Sequence, residues 1–466
     1  MQEKKREEGL GKWFNPYLVL VYITVLCAIA SYFVTPGAYE RQKVGNLTVV
    51  IADSYHAVER TPVSLLDLFR SIPSGLEGAG VMMFAVMLIG GVVEVYNRAG
   101  AIGAGIKSIL KLSNKVSSQL IISIVMIVFF IIGGILGWSE QIIPFVPIII
   151  SLSLALGYDS LVGMAISGFA CLITFAVGPF NVFTVGTSHA IAELPMFSGW
   201  QLRLAILFCV AALSMFWILR YAAKIKADPS KSLMKDIDTS ALRIPIDDSV
   251  RMDGRKALSL IVMGVCFGFT VYGLLNKGWS FNEMGAIFLM GGVLTAAING
   301  MSPGEACGAM IDGAKAAFPG ALIIGMARSI QWVMTTGGLV DPLVHGLAAF
   351  MGGASAYLSS VGMFIANFFI NALIPSGSGQ AMAVMPIMIP LADMLNITRQ
   401  TAVLAFQFGD GISNTLWFTN GTLLIYCGLA KVPLKKWYQF ILPLQLIFFL
   451  MQLLFLYLAI SINYGA

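Results

Sequence analysis

The chain has few charged residues: only 11% of its 466 residues are Asp, Glu, Lys or Arg, whereas 58% are hydrophobic. Ordinary soluble domains carry about a quarter charged residues. Apolar runs of roughly 20 residues, long enough to cross a bilayer, recur along the sequence. This composition excludes a soluble enzyme and predicts an integral membrane protein. Because β-barrel alternation is absent, we expect helical spans and an all-α polytopic fold.

Histidine and cysteine are also scarce. The three histidines lie far apart and the six cysteines show no paired spacing, so neither a metal site nor a disulfide framework is indicated. No basic-aromatic patch suggests nucleic acid, and no GxxxxGK[ST] motif suggests an ATP-driven pump. We therefore expect no enzyme activity, no metal and no cofactor. The expected partners are the lipid bilayer and a small-molecule solute, with H⁺ or Na⁺ as the candidate coupling ion.

Hydropathy and charge divide the chain into two parts of similar layout. Each part contains an apolar hairpin with a polar, glycine-containing tip, which suits a re-entrant loop buried in protein, and then a broken helix. The predicted units are an N-terminal repeat at 1–223 with the first hairpin at 117–157, a cytoplasmic linker at 224–256, a linking helix at 257–282, and a C-terminal repeat at 283–466 with the second hairpin at 355–396.

Other helices are expected at about 13–35, 75–97, 313–336 and 398–428. The last of these contains Asp410 between Gly409 and Gly411. Two glycines beside an acid in an apolar helix predict an unwound segment that exposes carbonyls next to a carboxylate. Such a segment can bind a cation.

An offset of 239 residues tests whether the two parts are copies of one unit. Matches at polar and proline positions include Ser139 with Ser378, Gln141 with Gln380, Pro147 with Pro386 and Asn181 with Asn420 at this offset of 239. Because a single linking helix separates the copies, the second must have the opposite orientation in the membrane. The distribution of Lys and Arg agrees, since it places the N-terminus in the cytoplasm and the C-terminus outside. Inverted repeats with hairpins and broken helices are typical of secondary transporters.

Charges inside apolar segments are the first candidates for solute or ion binding, because inserting one costs at least about 2.5–3.5 kcal/mol. Glu140, at the first tip, either binds a solute or caps its own second arm. Asp410 either binds a cation or pairs with Arg328. Arg328 in turn either holds a substrate carboxylate or neutralises an acid. Glu94 has a simpler explanation, an intrahelical pair with Arg98 near the headgroups.

The tips and breaks supply uncharged candidates. Their hydroxyls, amides and free backbone groups can hold a carboxylate or a small cation, although a glycine-rich loop or a helix cap would contain the same residues. Glu140 aligns with Gly379, so the charge breaks the symmetry of the repeat, as the binding of an asymmetric solute requires. The uncharged candidates are Ser139, Gln141, Asn181, Ser376, Gly377, Ser378, Gly379, Gln380, Ser413 and Asn414, with Trp138 and Asn420 as weaker ones.

The second tip and the helix after it carry a recognisable pattern. It consists of Pro375-Ser376-Gly377-Ser378-Gly379-Gln380, then Met385-Pro386, then Val403-Leu404-Ala405-Phe406-Gln407-Phe408-Gly409-Asp410-Gly411. This pattern resembles that of the YfcC-like carriers in the basic amino acid antiporter (ArcD) family, which is related to the C4-dicarboxylate anaerobic carriers of the ion-transporter superfamily. The resemblance implies a homodimer in the bacterial inner membrane and an elevator-type mechanism. It also implies cationic amino acids, such as arginine exchanged for ornithine, as solutes.

The sequence leaves two kinds of cargo open. In the first, Glu140 and Asp410 face the amino or guanidinium end of an amino acid, and Arg328 or the second tip holds its carboxylate. In the second, the acids couple transport to H⁺ or Na⁺, and the solute is an organic anion such as a C4-dicarboxylate. A channel or a transporter-derived sensor is the alternative from a different class. Saturable counterflow would exclude a channel, and a sensor would bind solute without moving it.

Overall fold

The computed structural model describes residues 16–44, 47–51, 54–113, 115–243, 251–277, 279, 281–350 and 355–465. The basic residues near the N-terminus, which predict a cytoplasmic start, lie outside these ranges. Within the described ranges, seven helices are long and apolar enough to cross a membrane. This confirms the prediction of a multi-pass helical membrane protein.

The first part of the chain contains the first hairpin and the first broken helix. Its elements are α1 (Pro16–Ala30), β1 (Gly37–Ala38), β2 (Arg41–Val44), β3 (Leu47–Val50), β4 (His56–Ala57), α2 (Leu65–Gly78), α3 (Gly80–Arg98), α4 (Ala101–Ser113), α5 (Ser118–Leu136), a 3₁₀ turn (Glu140–Phe145), α6 (Val146–Ala155), α7 (Ser160–Met164), a π turn (Ala165–Phe169), α8 (Ala170–Phe175), a second π turn (Val182–Gly186), α9 (Thr187–Ile191) and α10 (Trp200–Ala227).

The linker and the second part follow the same plan. Their elements are two 3₁₀ turns (Pro229–Lys231 and Ser240–Leu242), α11 (Gly254–Asn276), α12 (Phe281–Ile298), α13 (Pro303–Thr336), α14 (Val340–Phe350), α15 (Ala356–Leu373), α16 (Gly377–Met394), α17 (Arg399–Ser413), α18 (Gly421–Leu429) and α19 (Leu434–Ser461). The first hairpin consists of α5 and α6, and the second of α15 and α16.

Short strands in the polar segment after α1 are a departure from the all-helical prediction. β1 pairs with β4 and β2 with β3, in both cases antiparallel. In lipid, only helices and closed barrels satisfy every backbone group. A polar segment outside the lipid is free of this constraint, so it can form small two-stranded ribbons.

The helix predicted at 75–97 corresponds to α3, which α2 precedes as a separate, unpredicted helix, and α13 begins at Pro303, before the predicted start at 313. The starts of α2 and α13 both carry a capping box, in which a serine and an acidic residue three positions later satisfy free backbone amides. The pairs are Ser64 with Asp67 and Ser302 with Glu305. Because these capping residues are polar, they lower the local hydropathy and conceal the first turns.

The helix bounds of the two parts correspond at the offset of 239 residues: α7 starts at Ser160 and α17 at Arg399. The segments after the two breaks correspond as well, since the side chains of Asn181 and Asn420 each cap the turn that follows. An internal repeat predicts this correspondence. The division into repeat units and their opposite orientation in the membrane stay predictions.

The second break lies later than predicted. α17 continues as a helix through Gly409, Asp410 and Gly411, and residues 414–420 separate it from α18. The prediction of an unwound backbone at the acid was therefore wrong. The glycines allow close helix packing instead, because a side chain at Gly409 would lie 2.5 Å from Cβ of Asn367 in α15.

The 34-residue helix α13 packs against α3 through small residues. A side chain at Gly91 would lie 2.6 Å from the carbonyl oxygen of Met310, and one at Gly313 would lie 2.8 Å from Cβ of Glu94. Small residues let membrane helices approach this closely. The later turns of α13 reach the second break and the second hairpin, since Ala327 lies beside Gly421 at the start of α18 and Gln331 lies beside the second tip.

Two contacts outside the spans join segments that are distant in the sequence. Arg41 after β1 pairs with Asp341 of α14 at 2.7 Å. Asp236 of the linker pairs with Lys436 at the start of α19 at 3.6 Å. The absence of Lys and Arg from residues 338–354 predicts an outside position for α14, and Lys431, Lys435 and Lys436 predict a cytoplasmic position for the start of α19. The second contact joins this start to the linker, which the sequence also assigns to the cytoplasm.

Candidate functional site

Each hairpin tip contacts the segment that follows the helix break in the other part of the chain. At the first tip, the hydroxyl of Tyr426 in α18 donates to the carbonyl of Ser139. At the second tip, a side chain at Gly377 would lie 2.6 Å from Cγ2 of Thr184. The two tips and two breaks form one region, which we call the tip–break region (residues 137–141, 176–186, 374–380 and 413–422).

Glu140 lies at the first tip in a partly buried position, at the start of the 3₁₀ turn. Oγ1 of Thr422 donates to its carboxylate at 3.4 Å. Thr422 is in the first turn of α18, so the carboxylate faces the positive end of that helix dipole. Arg328 in α13 has only a weak electrostatic effect on Glu140, and the two form no ion pair within 4.0 Å. The first tip thus combines an acid, a hydroxyl and a nearby guanidinium.

Arg328 is exposed and lies beside the end of α2, with its Nε 3.7 Å from where a side chain at Gly78 would begin. The alternative in which Arg328 pairs with Asp410 is not realised, because neither carboxylate oxygen of Asp410 has a hydrogen-bond partner among the described residues. One turn later on α13, Nε2 of Gln331 lies 3.7 Å from where a side chain at Gly379 would begin. α13 therefore presents a guanidinium near the first tip and an amide at the second.

Asp410 is enclosed and has no cationic partner among the described residues. Asp410 lies in the last turn of α17 and is 0% exposed. Neither of its carboxylate oxygens accepts a hydrogen bond from a described residue. A side chain at Gly377 would lie 3.3 Å from its Oδ2, so the second tip closes directly over the acid. Oγ1 of Thr184, which touches the same glycine through its methyl group, is also buried without a partner. Since a lone buried carboxylate is costly, this arrangement favours a proton or a cation at Asp410.

Asn371, in the first arm of the second hairpin, connects the helical turn that contains Asp410 to the second break. Its amide donates to the carbonyl of Asp410 at 2.8 Å, to the hydroxyl of Ser413 at 2.7 Å and to Oδ1 of Asn414 at 2.8 Å. The side-chain amide of Asn420 donates to the same Asn414 oxygen at 2.7 Å. In this conformation the three predicted candidates Ser413, Asn414 and Asn420 hold the second break in shape.

Residues of the second tip bind one another. Ser376 caps α16 by accepting the backbone amide of Gly379 at 3.3 Å. Gln380 is fully buried, and its amide donates to Oδ1 of Asn367 in the opposite arm at 2.9 Å. Ser378 is partly buried between these two residues. The tip is therefore a structured turn whose two arms are joined by amide contacts.

The uncharged candidates of the first part also satisfy local groups. Oε1 of Gln141 accepts the backbone amide of Ser139 at 3.1 Å. The carbonyl of Trp138 accepts the thiol of Cys171 at 3.1 Å. Asn181 caps its turn and donates to the carbonyl of Phe175 at 3.0 Å. These contacts shape the first tip and the first break.

Glu94 lies in an ion pair on α3. It pairs with Arg98 at 3.1 Å and accepts from the amide of Asn97 at 3.0 Å. Arg98 also binds Asp312 of α13. The intrahelical explanation accounts for this acid, which makes Glu94 a suitable comparison for the two acids of the tip–break region.

Arg203 in α10 is a buried charge that sequence reasoning missed. The residue is 1% exposed, and its guanidinium donates to Oε1 of Gln407 and, at 3.4 Å, to Oε1 of Gln400. The amide of Gln407 donates in turn to the carbonyl of Gly178 at 2.9 Å. This chain of bonds fixes the first break to α17 one turn before Asp410, so Arg203 is a positioning residue.

The missed residues differ in how visible they are in the sequence. Arg203 lies near the start of an apolar helix, where a charge is usually assigned to the membrane interface. Asn371 is a lone polar residue in an apolar arm and could have been noticed. Thr184 and Thr422 align with hydrophobic residues at the offset of 239, so the repeat gives no sign of them.

A cavity of about 420 Å³ opens beside the second tip. Gly379 and Ile374 of the second hairpin and Gln331 of α13 line it. Arg41 and Asp341 line it as well. The second tip therefore adjoins open space that Gly37, Ala38, Arg41 and Val58 also line, together with the start of α14.

Comparison with known proteins relates the chain to other transporters. It is 28% identical over 403 residues to an uncharacterized protein of Haemophilus influenzae, a match that covers 85% of this chain and 78% of the relative. It is 25% identical over 469 residues to YfcC of Escherichia coli, which is provisionally named a basic amino acid antiporter, with 91% and 92% covered.

Two solved transporter structures also align with the chain. One is YdaH of Alcanivorax borkumensis, at 15% identity and a TM-score of 0.45, with 97% of this chain and 99% of that chain covered. The other is MtrF of Neisseria gonorrhoeae, from a class of antimetabolite efflux pumps, at 16% identity and a TM-score of 0.44, with 96% of each chain covered. Such scores describe a distant likeness only.

A family model matches nearly the whole chain. Residues 15–461 match the family described as DcuC, C4-dicarboxylate anaerobic carrier. This match and the similarity to YfcC confirm the resemblance seen at the second tip and in the helix after it. The chain is thus a membrane transporter that belongs to the C4-dicarboxylate anaerobic carrier family.

Proposed function

We propose that this chain is a secondary active transporter of amino acids and that its solutes are basic amino acids such as arginine and ornithine. The observation that carries the proposal is the enclosed carboxylate of Asp410, which has no hydrogen-bond partner among the described residues. Together with Glu140, it gives the tip–break region two acids and one nearby guanidinium, Arg328. A region with this charge balance favours a solute that brings positive charge.

The residues of the region have separate parts in this proposal. Glu140 meets the amino or guanidinium group of the solute, and Arg328 holds the carboxylate. Asp410 lies beneath Gly377, so a cation reaches it only when the second tip moves. The cation at Asp410 is either the positive end of the solute or a coupling ion, H⁺ or Na⁺.

We further propose that the two hairpins and the helices after them move together against the rest of the protein in an elevator-type cycle. The contacts of each tip with the other half's break support this grouping, because they join both hairpins into one body. The corresponding helix bounds at the offset of 239 support two repeats of opposite orientation. The proposal includes a homodimer in the bacterial inner membrane, with the N-terminus in the cytoplasm and the C-terminus outside.

A second candidate is an H⁺- or Na⁺-coupled carrier of C4-dicarboxylates. The description of the matched family favours it, as does the exposed guanidinium of Arg328 near the first tip. In this case both acids would serve the coupling ion, and Arg328 and the backbone amides of the second tip would hold the anion.

Uptake into proteoliposomes separates the two candidates. Labelled arginine should accumulate in vesicles loaded with ornithine, and labelled succinate should not, with or without a proton or sodium gradient. Gradient-driven uptake of succinate without uptake of arginine would replace the proposal by the second candidate. Flux that does not saturate would indicate a channel and contradict both.

Matched acid variants test the site assignment in the same vesicles. Glu140→Gln is expected to abolish arginine exchange, because it removes the charge that faces the solute and keeps the side-chain shape. Glu94→Gln removes a membrane carboxylate of the same size from an ion pair outside the tip–break region, and we expect it to keep most of the wild-type rate. Equal rates for the two variants would contradict the assignment.

A further inference from the structure

The cavity beside the second tip is lined by an ion pair as well as by a residue of the tip. Arg41 and Asp341 both line the cavity, and their guanidinium and carboxylate lie 2.7 Å apart. Gly379 of the second tip and Gln331 of α13, which lie close together, line the same cavity. The volume of about 420 Å³ lies in the range of small-molecule sites, roughly 300–1,000 Å³.

Asp341 holds the segment that covers the cavity. Its Oδ2 accepts the backbone amide of Tyr39 at 3.0 Å, while its Oδ1 accepts the guanidinium of Arg41. The Tyr39 hydroxyl lies 3.0 Å from Nδ1 of His345, and Tyr55 stacks on the His345 ring with centroids 3.8 Å apart. The covering segment is therefore attached to α14 by one carboxylate and one aromatic cluster.

The two charges of the pair differ in accessibility. The side chain of Arg41 is 46% exposed, whereas that of Asp341 is 9% exposed. A partly exposed ion pair is weak, because water and salt screen it. A solute with one carboxylate and one ammonium group can bind both residues at once. Its carboxylate then pairs with Arg41 and its ammonium group with Asp341, so neither side chain is left without a partner.

We propose that this cavity is an outer recognition site for an amino acid, in which Arg41 binds the solute carboxylate and Asp341 binds its ammonium group. The identity of the solute rests on the proposed function. The solute takes the place of the contact between Arg41 and Asp341, while Asp341 keeps the backbone amide of Tyr39, so residues 37–41 stay attached to α14. The bound solute then lies in a cavity that Gly379 also lines, next to the tip–break region.

Transport measured separately from the two faces tests the proposal, in proteoliposomes with the protein inserted in one orientation. Arg41→Gln should raise KM for arginine on the face that contains Arg41 by up to roughly fivefold, the value of an ion pair to a half-exposed guanidinium, and leave kcat less affected. KM on the opposite face should not change. Arg98→Gln, which breaks the ion pair with Asp312, should leave both KM values unchanged. Arg41→Lys, which keeps the charge and loses the planar fork, should give an intermediate value.

A labelling experiment gives a readout that does not require transport. Met382 lines the cavity. In a variant with Met382→Cys and with the exposed Cys209 and Cys307 replaced by Ser, arginine should slow the reaction of the new cysteine with an impermeant thiol reagent. The additional change Arg41→Gln should remove this protection.

Several results would overturn the proposal: an unchanged KM in Arg41→Gln, an equal change of KM on both faces, or no protection of the introduced cysteine by arginine.

Failure of the proposed function gives a different pattern. If the chain carries dicarboxylates, succinate and not arginine should protect the cysteine, and Asp341→Asn should strengthen that protection because it removes a repelling charge. Loss of protection in Asp341→Asn would support an ammonium group at this position.

Discussion

Replacing Asp410 by Asn removes a negative charge and almost nothing else. The two side chains have nearly the same shape, and no described residue donates to the Asp410 carboxylate, so no hydrogen bond of the folded protein is lost. An unpaired buried charge destabilises a fold. We therefore expect Asp410→Asn to unfold at the same temperature as the wild type or at a higher one. Loss of function in this variant would then not be due to misfolding.

The effect on ligand binding should be large. Removing one partner of a buried charge pair costs about 2–5 kcal/mol. At 1.4 kcal/mol for each factor of ten, this corresponds to a loss of affinity of roughly 30- to 5,000-fold for the cation that Asp410 binds. Because the residue is 0% exposed, little water screens the interaction, and we expect a value in the upper part of this range.

Thermal unfolding of purified protein measures both effects. Arginine, or Na⁺ in place of choline, should raise the unfolding temperature of the wild type and of Glu94→Gln, since a ligand of the folded state stabilises it. Neither should do so in Asp410→Asn. An Asp410→Asn variant that is stabilised like the wild type would refute the assignment of Asp410. A variant that unfolds well below the wild type without ligand would refute the statement that its charge is unpaired.

Three further predictions concern the tip–break region. Gly377→Ala places a methyl group 2.6 Å from Cγ2 of Thr184 and 3.3 Å from Oδ2 of Asp410. Such overpacking destabilises the closed tip by about 1–3 kcal/mol and should slow exchange at least roughly fivefold in the vesicle assay while the protein remains folded. Asn181→Ala and Asn420→Ala each remove a helix cap and should lower the free energy of unfolding by about 1 kcal/mol, measured by denaturant titration; no change in either would contradict the capping role. Arg203→Gln shortens the side chain and leaves buried acceptors without a donor, so the free energy of unfolding should fall by about 1–3 kcal/mol, and wild-type stability would contradict the positioning role.

Hydropathy and the repeat were sufficient to predict both hairpins and most of the long helices. Both hairpins, the first break and the correspondence of Asn181 with Asn420 follow from sequence patterns that act locally. The membrane strengthens such patterns, because every buried backbone group must be satisfied within a helix or by a cap. The resemblance to a transporter family rested on the second tip and on the helix that contains Asp410, and the family match confirms it.

The contacts between the two halves could not be predicted in this way. Thr422 lies against Glu140, and Thr184 against Gly377, because tertiary packing brings each tip to the opposite break. These positions carry no signal in the repeat. The glycines beside Asp410 predict a break, whereas in the structure they allow α17 to pack closely against its neighbours. A glycine in a helix has both uses, and only the neighbouring helices decide between them.

Counterflow tests the central claim most directly. In vesicles loaded with unlabelled ornithine, the wild type should take up labelled arginine in a saturable manner, and external ornithine should compete with it. Glu94→Gln should behave like the wild type, whereas Glu140→Gln and Asp410→Asn should show no exchange above the background of vesicles without protein. Wild-type exchange in either of the last two variants would contradict the account.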